Sequence, residues 1–405
     1  MYQSLAKIFY QNPDNYDSIY LSRFNGDSTE RINFSYLLNE PFFIYTKDIT
    51  NLISSIQRAN TQVKVLIENL PPVAINAFTR KCLIDEIMQT NEIEGVHSTR
   101  KEITSVLEKP SVKKRFNGIV NKYLKLQKNS IVKTCENVRT IYDEIVYEEI
   151  KNDDEKSLPD GQIFRKESVS VYSPTNIELH KGLYPESKII SAMNEALNIL
   201  NSDEIEPLIS ISIFHYLFGF IHPFYDGNGR TDRFISSYYL TRYLNPLIGY
   251  RLSYTIKQDQ KKYYDAFEIT NNPRSKGDLT YFIISFLQTL YSSMNNLRKA
   301  LNSRKDSLDS FRKRIERIVT ESDKKEKEKE KYFELLFLLT QVELFSKEGI
   351  SIDDIAHYLS LSKQSIKNLL TNQLICEYIK IDKKRKTYKY SVDLDIINEA
   401  TKLTD

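Results

Sequence analysis

The sequence has few cysteines and no long apolar run, and each absence excludes a class of protein. Cys82, Cys135 and Cys376 are the three cysteines of the 405 residues, and they lie far apart. An odd, scattered set predicts neither a disulfide framework nor a cysteine metal cluster, and it suits a reducing compartment. The start of the chain lacks the apolar centre of a signal peptide, and no segment approaches the roughly 20 apolar residues of a membrane-spanning helix. We therefore expect a cytoplasmic protein with no membrane partner.

The chain also lacks a strong net charge and the usual zinc motifs. Its formal net charge is +3, which is too small to indicate the class of a partner, so a basic surface must be argued locally. Neither HExxH nor CxxC occurs in the sequence, and these are common spacings of zinc ligands. His215, two helical turns before His222, is therefore predicted to be a core residue and not a metal ligand.

What the sequence does contain is a dense run of functional side chains, HPFYDGNGRTDR, at residues 222–233. Pro223 has no N–H and disfavours a helical conformation at the residue before it, so the preceding apolar helix should end at His222. The turn at residues 227–229 can direct successive backbone N–H groups inward, and a helix that begins there adds the positive end of its dipole. The run thus predicts a cradle for an anion.

The charged residues of this run suit a nucleotide triphosphate. If residues 229–240 are helical, Arg230 and Arg233 lie on one face and reach the same polyphosphate. Asp226 lies next to the cradle, and its carboxylate oxygens suit a Mg²⁺ ion that bridges two phosphates. His222 is then left for proton transfer, because its ordinary pKa is close to neutrality.

Every fixed position of the run matches the signature of the Fic (Fic/DOC) family, His-Pro-Phe-x-(Asp or Glu)-Gly-Asn-Gly-Arg-x-x-Arg, and the chain resembles the protein adenylyltransferases of that family. The resemblance implies a mainly helical core with a small β-hairpin flap. It implies transfer of AMP from ATP to a Ser, Thr or Tyr hydroxyl of a target protein, or of the chain itself, with Mg²⁺ or Mn²⁺ as cofactor. The family roles carry over to these positions: His222 as base, Asp226 as metal ligand, Gly227, Asn228 and Gly229 as cradle of the α- and β-phosphates, and Arg230 and Arg233 as counter-charges, with Arg233 nearest the γ-phosphate.

A second segment, TNEIEG at residues 90–95, bears on regulation. Helical spacing places Glu94 on a mostly apolar face, where a carboxylate needs a partner such as an arginine. The segment resembles the inhibitory motif of the family, (Ser or Thr)-x-x-x-Glu-(Gly or Asn). This implies an inhibitory helix at about residues 81–95, with Glu94 clamped on Arg233 so that the γ-phosphate cannot dock. The alternative is that Glu94 is a surface residue at a helix end with Gly95 as its C-cap.

Two further segments are ambiguous. Residues 168–182, around Pro174-Thr175-Asn176, predict a hairpin or an extended flap, which either docks a target segment by strand pairing or merely connects two helices. Tyr263 and Tyr264 lie where the family often has aromatic residues near the adenine. Core packing explains them almost as well, because Tyr and Phe are abundant in this chain.

The last part of the chain has a different pattern. A serine-capped helix from Ser351 and a second helix at residues 363–372 predict a helix-turn-helix, and two alternating segments after it predict a hairpin wing. A winged helix could bind DNA through Lys363, Gln364 and Lys367, and such modules also serve in dimerisation or protein docking.

These patterns divide the chain into four parts: an N-terminal region at residues 1–80, a Fic-type core with its inhibitory helix at 81–290, a charged helical linker at 291–331, and a winged-helix domain at 332–405. We expect a protein adenylyltransferase restrained by Glu94, with a homodimer as one form of assembly. Two alternatives remain. One is removal of AMP from a modified protein with Glu94 positioning a water, and the other is a DNA-binding regulator that senses a nucleotide.

Overall fold

Helices dominate the structure, as predicted, and strands are confined to small hairpins. The computed structural model describes residues 2–109, 114–128, 131–172, 178–322, 325–383 and 387–402. The chain forms two compact units, one of residues 1–61 and 83–295 and the other of residues 62–82 and 296–405. None of the described helices is both long and apolar enough to cross a membrane.

The first unit contains, or shares with the second, fourteen of the described α-helices. In chain order these are α1 (Leu5–Gln11), α2 (Tyr16–Phe24), α3 (Lys47–Glu68), α4 (Pro72–Ile93), α5 (Arg100–Glu108), α6 (Asn117–Leu124), α7 (Cys135–Tyr142), α8 (Glu148–Asp153), α9 (Glu186–Leu200), α10 (Pro207–Ile221), α11 (Asn228–Tyr243), α12 (Leu252–Gln258), α13 (Gln260–Asn271) and α14 (Thr280–Thr320). Helices α3, α4 and α14 each have residues in both units.

Two antiparallel hairpins belong to this unit. Strand β1 (Thr29–Arg31) pairs with β2 (Phe42–Ile44), and β3 (Ser170–Tyr172) pairs with β4 (Glu178–Lys181). The second hairpin is the predicted flap, and its register shifts between Val171 and Tyr172. Pro174, Thr175 and Asn176 of the predicted turn lie outside the described residues.

The centre of the first unit is α10, which is apolar on all sides and buried along nearly its whole length. A helix without a polar face must be surrounded by other elements, and α9 and α11 pack against it. Pro207 occupies its first turn, and the side chain of Glu206 accepts the N–H of Ile209, so both N-terminal preferences are met. The helix ends at His222, as Pro223 predicts.

Helices α7 and α8 are joined by a π-helical turn at Asp143–Tyr147, so the chain is helical from Cys135 to Asp153. Such turns insert an extra residue and often occur at functional sites. Here the turn brings Tyr142, Val146 and Ile150 against Gly227.

The second unit contains the remaining elements. They are α15 (Glu326–Phe345), α16 (Ile352–Leu359), α17 (Lys363–Leu370), β5 (Ile379–Asp382), β6 (Lys389–Val392) and α18 (Leu394–Lys402). The side chains of Ser351 and Ser362 cap α16 and α17, and β5 pairs with β6 in an antiparallel hairpin. The predicted order of two short helices and a hairpin is present, while the identification of this unit as a winged helix stays a prediction.

Candidate active site

His222 lies at the end of α10 in the left-handed conformation, with φ 51°. Its N–H donates to the carbonyl of Phe218, and its own carbonyl accepts from Nε of Arg165 at 2.9 Å. Burial lowers the pKa of the imidazole to about 4, with further contributions from the charges of Arg165 and His180, although Glu94 opposes this shift. The ring is therefore neutral at physiological pH, which is the form that accepts a proton.

The conformation of the loop after His222 depends on a glycine and on an asparagine side chain. Gly227 has φ 78°, and a Cβ there would lie 2.8 Å from Val146, so only glycine fits. The Asn228 side chain accepts the N–H of Phe224 at 2.9 Å and donates to its carbonyl at 2.8 Å. The side chain thus fixes the loop, and the cradle itself consists of backbone N–H groups at the start of α11, which lack partners within the helix.

Glu94 is paired with Arg233, as the resemblance implies. Its Oε1 lies 2.8 Å from Nη2 of Arg233. The hydroxyl of Thr90 accepts from Nε of Arg233 at 2.9 Å, and the carbonyl of Thr90 accepts from Nη2 at 3.0 Å. Burial alone would lower the pKa of this guanidinium, but the Glu94 carboxylate raises it above its ordinary value. The Arg233 guanidinium is therefore charged and fixed in place, and it already donates to three acceptors, all from Thr90 and Glu94 at one helix end.

Gly229 brings this ion pair next to the cradle. A side chain at position 229 would collide with the Glu94 carboxylate and would lie 2.7 Å from Nη1 of Arg233. The carboxylate of Glu94 therefore lies against the first turn of α11, where the helix dipole favours an anion.

Arg230 is held by Glu149 on one side and lies near Asp226 on the other. Its side chain is buried, and Nη1 donates to Oε1 of Glu149 at 2.9 Å. Its Nε and Nη2 have no hydrogen-bond partner among the described residues, and Nη2 lies 3.6 Å from the carboxylate of Asp226. Asp226 itself is 48% exposed. Arg230 therefore keeps two donor groups without a partner among the described residues, next to the Asp226 carboxylate.

The two predicted aromatic residues lie on α13, close to the ion pair. The Tyr263 and Tyr264 rings meet edge to face with centroids 5.4 Å apart. Burial raises the pKa of the Tyr264 phenol, and the Glu94 carboxylate adds to the shift while the Arg233 guanidinium opposes it. The Tyr263 hydroxyl is 2.8 Å from Nε2 of His215, so a hydrogen bond fixes the position of this phenol.

His215 is a buried core residue, as predicted, and it is part of a polar chain. Its Nδ1 lies 3.1 Å from Oδ2 of Asp232 and 2.9 Å from the hydroxyl of Ser236. The Asp232 carboxylate is buried, which raises its pKa, and the nearby His215 lowers it in part. This chain fixes the orientation of Tyr263 beside the site.

Several residues of the site were not predicted from the sequence. Arg165, Glu149 and Tyr142 lie 57 or more residues before the groups they support, in segments without a recognisable motif. The Tyr142 ring stacks on Phe224 with centroids 3.9 Å apart. Arg165 and Glu149 lie among other charged residues, such as Lys166 and Glu148, so the sequence does not single them out as partners of His222 and Arg230.

Comparisons with known proteins agree with this geometry. Residues 134–240 match the Fic/DOC family model. The chain is 34% identical over 87 residues to "Protein adenylyltransferase Fic" of Drosophila virilis, which covers 22% of this chain and 16% of that protein. It is 34% identical over 97 residues to the protein of the same name from Culex quinquefasciatus, which covers 24% of this chain and 18% of that protein. The chain thus aligns with less than a fifth of the length of these relatives.

A solved structure extends the comparison to most of the chain. The crystal structure of a Fic family protein from Desulfovibrio desulfuricans G20 matches with a TM-score of 0.54 at 21% identity, and the match covers 88% of this chain and 98% of that one. At this identity the likeness shows the fold. Glu94 lies outside residues 134–240, so its role depends on the ion pair with Arg233.

Proposed function

We propose that this chain, whose residues 134–240 form a Fic/DOC family domain, transfers AMP from ATP to a hydroxyl of a target protein and is restrained by Glu94. The observation that carries the proposal is the position of the Glu94–Arg233 ion pair on the first turn of α11, in the cradle next to the loop that bears His222. A carboxylate there occupies a site built for phosphate.

In the proposed reaction the target hydroxyl attacks the α-phosphorus of ATP while His222 accepts its proton. The bond from the α-phosphorus to the bridging oxygen breaks, and pyrophosphate leaves. Backbone N–H groups of the α11 start stabilise the charge on the phosphates, and Arg233, once free of Glu94, binds the γ-phosphate. Positioning and charge neutralisation therefore supply most of the catalysis.

We further propose Mg²⁺ as the cofactor, held by Asp226. The carboxylate is half-exposed and borders the cradle, and no cluster of three or more potential ligands occurs in the described part of the chain. One protein carboxylate with the remaining ligands from phosphates and water is the usual arrangement for this ion. Bound there, Mg²⁺ would neutralise charge on the polyphosphate.

The experiment that tests the function uses ATP labelled at the α-phosphate and cell lysate as the source of targets. The Glu94→Gly variant should label protein several-fold faster than the wild type, because the Arg233 fork is already in place and becomes free. Arg233→Ala should stay inactive, alone and combined with Glu94→Gly. Glu92→Gly is a matched control, because Glu92 is on the same helix but is 58% exposed and pairs with Lys257.

The alternative reaction, removal of AMP, gives the opposite result. If Glu94 positions a water for hydrolysis, Glu94→Gly should abolish AMP loss from a pre-modified target, and initial transfer rates on unmodified target should not rise. Equal behaviour of Glu94→Gly and Glu92→Gly in both assays would return Glu94 to an ordinary helix-end residue and would contradict the proposed restraint.

For the second unit we propose DNA binding through α17. Lys363, Gln364 and Lys367 are all exposed on this helix, although Lys363 also pairs with Asp353 of α16. Binding through phosphates should weaken steeply with salt. Fluorescence anisotropy with a labelled duplex at two salt concentrations tests this, and a wild-type affinity that Lys367→Ala leaves unchanged would contradict it.

A further inference from the structure

Arg165 is a buried arginine in the first unit that the proposed chemistry does not use. Its side chain has no exposed surface, and no carboxylate of the described residues forms an ion pair with it. Burying an unpaired cation is costly, and burial lowers the pKa of this guanidinium to about 10. The hydrogen bonds of the guanidinium must therefore offset the cost of its burial.

Those hydrogen bonds reach three separate segments. Nε donates to the carbonyl of His222 at 2.9 Å, Nη2 donates to the carbonyl of Leu183 at 2.8 Å, and Nη1 donates to the carbonyl of Glu167. The backbone N–H of Arg165 also donates to the carbonyl of Pro223 at 3.2 Å. One residue therefore connects the loop that carries the base with both ends of the β3–β4 flap.

The segment that carries Arg165 is itself held firmly. The Glu186 carboxylate accepts the N–H groups of Gln162, Ile163 and Phe164 at 2.8–3.0 Å. The hydroxyl of Tyr225, in the loop after His222, accepts the N–H of Glu167 at 2.9 Å. Arg165 thus acts from a fixed platform and not from a mobile loop.

Gly182 leaves the space that the Arg165 side chain fills. A Cβ at position 182 would collide with Nη2 of Arg165 and would lie 3.0 Å from Cβ of His222. The N–H of Gly182 donates to the carbonyl of Val169 at 2.9 Å. Position 182 therefore has no room for a side chain, because the Arg165 guanidinium and His222 lie directly beside it.

The backbone of His222 needs this support. A left-handed conformation is uncommon for a residue with a side chain, and it persists where surrounding bonds fix it. The His222 carbonyl is the acceptor that Arg165 holds, so the bond fixes the peptide that determines where the imidazole points.

We propose that Arg165 is a positioning residue for the base: it fixes the left-handed backbone of His222 and sets the distance between the imidazole and the flap that presents the target. The proposal rests on the proposed function in assigning His222 as the base. Its geometric part, the control of His222 by Arg165, can be measured without any transfer.

The test uses Arg165→Lys, Arg165→Gln and Gly182→Ala in the full chain. With Glu94→Gly as the active background, Arg165→Lys and Gly182→Ala should lower kcat for AMP transfer by roughly 10- to 100-fold, because a small displacement of a catalytic group has an effect of that size. The KM for ATP should change by less than about twofold, since the phosphate cradle is untouched. In the Glu94-containing protein, NMR titration of His222 should show a higher imidazole pKa in Arg165→Gln, because a nearby cation is lost.

Arg139→Lys is the matched control. Arg139 also donates to a carbonyl of the same segment, that of Ile163 at 2.8 Å, but the structure records no contact of its side chain with His222. It should leave both kcat and the His222 titration unchanged. An unchanged titration and an unchanged kcat in folded Arg165 and Gly182 variants would overturn the proposal.

Failure of the two proposals can be told apart. If Glu94→Gly shows no transfer at all, the proposed function fails, while a shifted His222 titration in Arg165→Lys, which keeps the positive charge, still supports the positioning role. If the Arg165 variants do not fold, Gly182→Ala keeps the arginine and displaces it, so the kcat and titration readouts remain decisive.

Discussion

The low pKa of His222, about 4, gives the reaction a defined acid limit. The base form is present above this value and is lost as the pH falls through it. We expect kcat/KM of the Glu94→Gly variant to be insensitive to His222 titration near pH 7 and to fall only at about pH 4 or below, because removing Glu94 removes a charge that raises this pKa. An ordinary histidine would titrate near 6.5. A rate profile with a midpoint near 6.5 would contradict this environment for His222.

The same shift has a consequence for stability. The folded-state pKa of His222 lies below the unfolded value of about 6.5, so the unfolded chain binds the proton more readily. The contribution of His222 to stability is therefore fully present above pH 6.5 and decreases as the pH falls from about 6.5 towards 4. Denaturant unfolding of wild type and His222→Ala at several pH values would show whether this part of the acid sensitivity disappears in the variant.

Asp226 is a second residue whose role can be isolated. Because its carboxylate is half-exposed, Asp226→Ala should fold normally, abolish Mg²⁺-dependent transfer, and weaken ATP binding more with Mg²⁺ than without it. Calorimetric titration of ATP in both conditions measures the difference. Asp226→Asn serves as the control of equal size, and equal weakening with and without the ion would show that the residue is structural.

At this scale the sequence was sufficient for residues whose contacts follow from a recognisable motif. The end of a helix at His222 follows from Pro223, and the partner of Glu94 follows from its apolar stripe and the family pattern. Arg230 could not be placed in the same way, because its acceptor Glu149 lies 81 residues earlier in the chain. Only the folded packing of α8 on α11 decides that this arginine turns inward.

Among the elements, α4 carries the restraint, and a second glutamate anchors it. Glu86 is fully buried, and its carboxylate accepts the N–H groups of Ser253 and Tyr254 at the start of α12, at 2.8 and 3.1 Å. Thr90 follows on the same face of α4, one helical turn later, and Glu94 lies in the turn directly after the helix. Docking of this helix end therefore depends on Glu86 as well as on the ion pair.

We expect Glu86→Ala to destabilise the docked end of α4. Two buried N–H groups would lose their acceptor, at a cost of about 1–3 kcal/mol for each unsatisfied group. Hydrogen exchange of residues 86–94 should become faster, and the free energy of unfolding should fall. Glu92→Ala is the control, because an exposed ion pair contributes less than about 1 kcal/mol; equal protection in both variants would rule out the anchoring role.

Element boundaries were predictable where a specific residue sets them. Pro223 ends α10, and Ser351 starts α16. Helix α11 was expected at residues 229–240 and extends from Asn228 to Tyr243. It continues past residue 240 because no proline occurs between that residue and Pro246. The π-helical turn at Asp143–Tyr147 was not predicted from the sequence, because Gly227, against which Tyr142 and Val146 pack, lies far along the chain.

At the scale of the whole chain, residues 62–82 belong to the second unit although they precede residues 134–240, which match the Fic/DOC family model. Phe78 is buried, its ring meets that of Phe345 edge to face, and Arg304 lies over it at 5.2 Å. The sequence alone does not assign this segment to the second unit, because helical periodicity shows which face is apolar but not which distant helix covers that face.

Phe78→Ala should therefore destabilise the second unit selectively. Loss of a buried phenylalanine costs about 3–5 kcal/mol. Thermal unfolding should show an earlier transition, and limited proteolysis should first cut within residues 296–402, while ATP binding at the site of His222 is retained at temperatures below that transition. Loss of ATP binding in parallel with the first transition would show that the two units unfold as one.

If Arg233 binds the γ-phosphate as proposed, it cannot also hold Glu94, so the proposed restraint amounts to an equilibrium between two populations of the chain. The apparent dissociation constant for productive ATP equals the intrinsic constant divided by the unclamped fraction. If about one molecule in a hundred is unclamped, productive binding needs about a hundredfold more ATP. Any partner that loosens the end of α4 raises the unclamped fraction. At ATP concentrations below saturation this raises the reaction rate as a higher ATP concentration would, because the rate follows the product of the two.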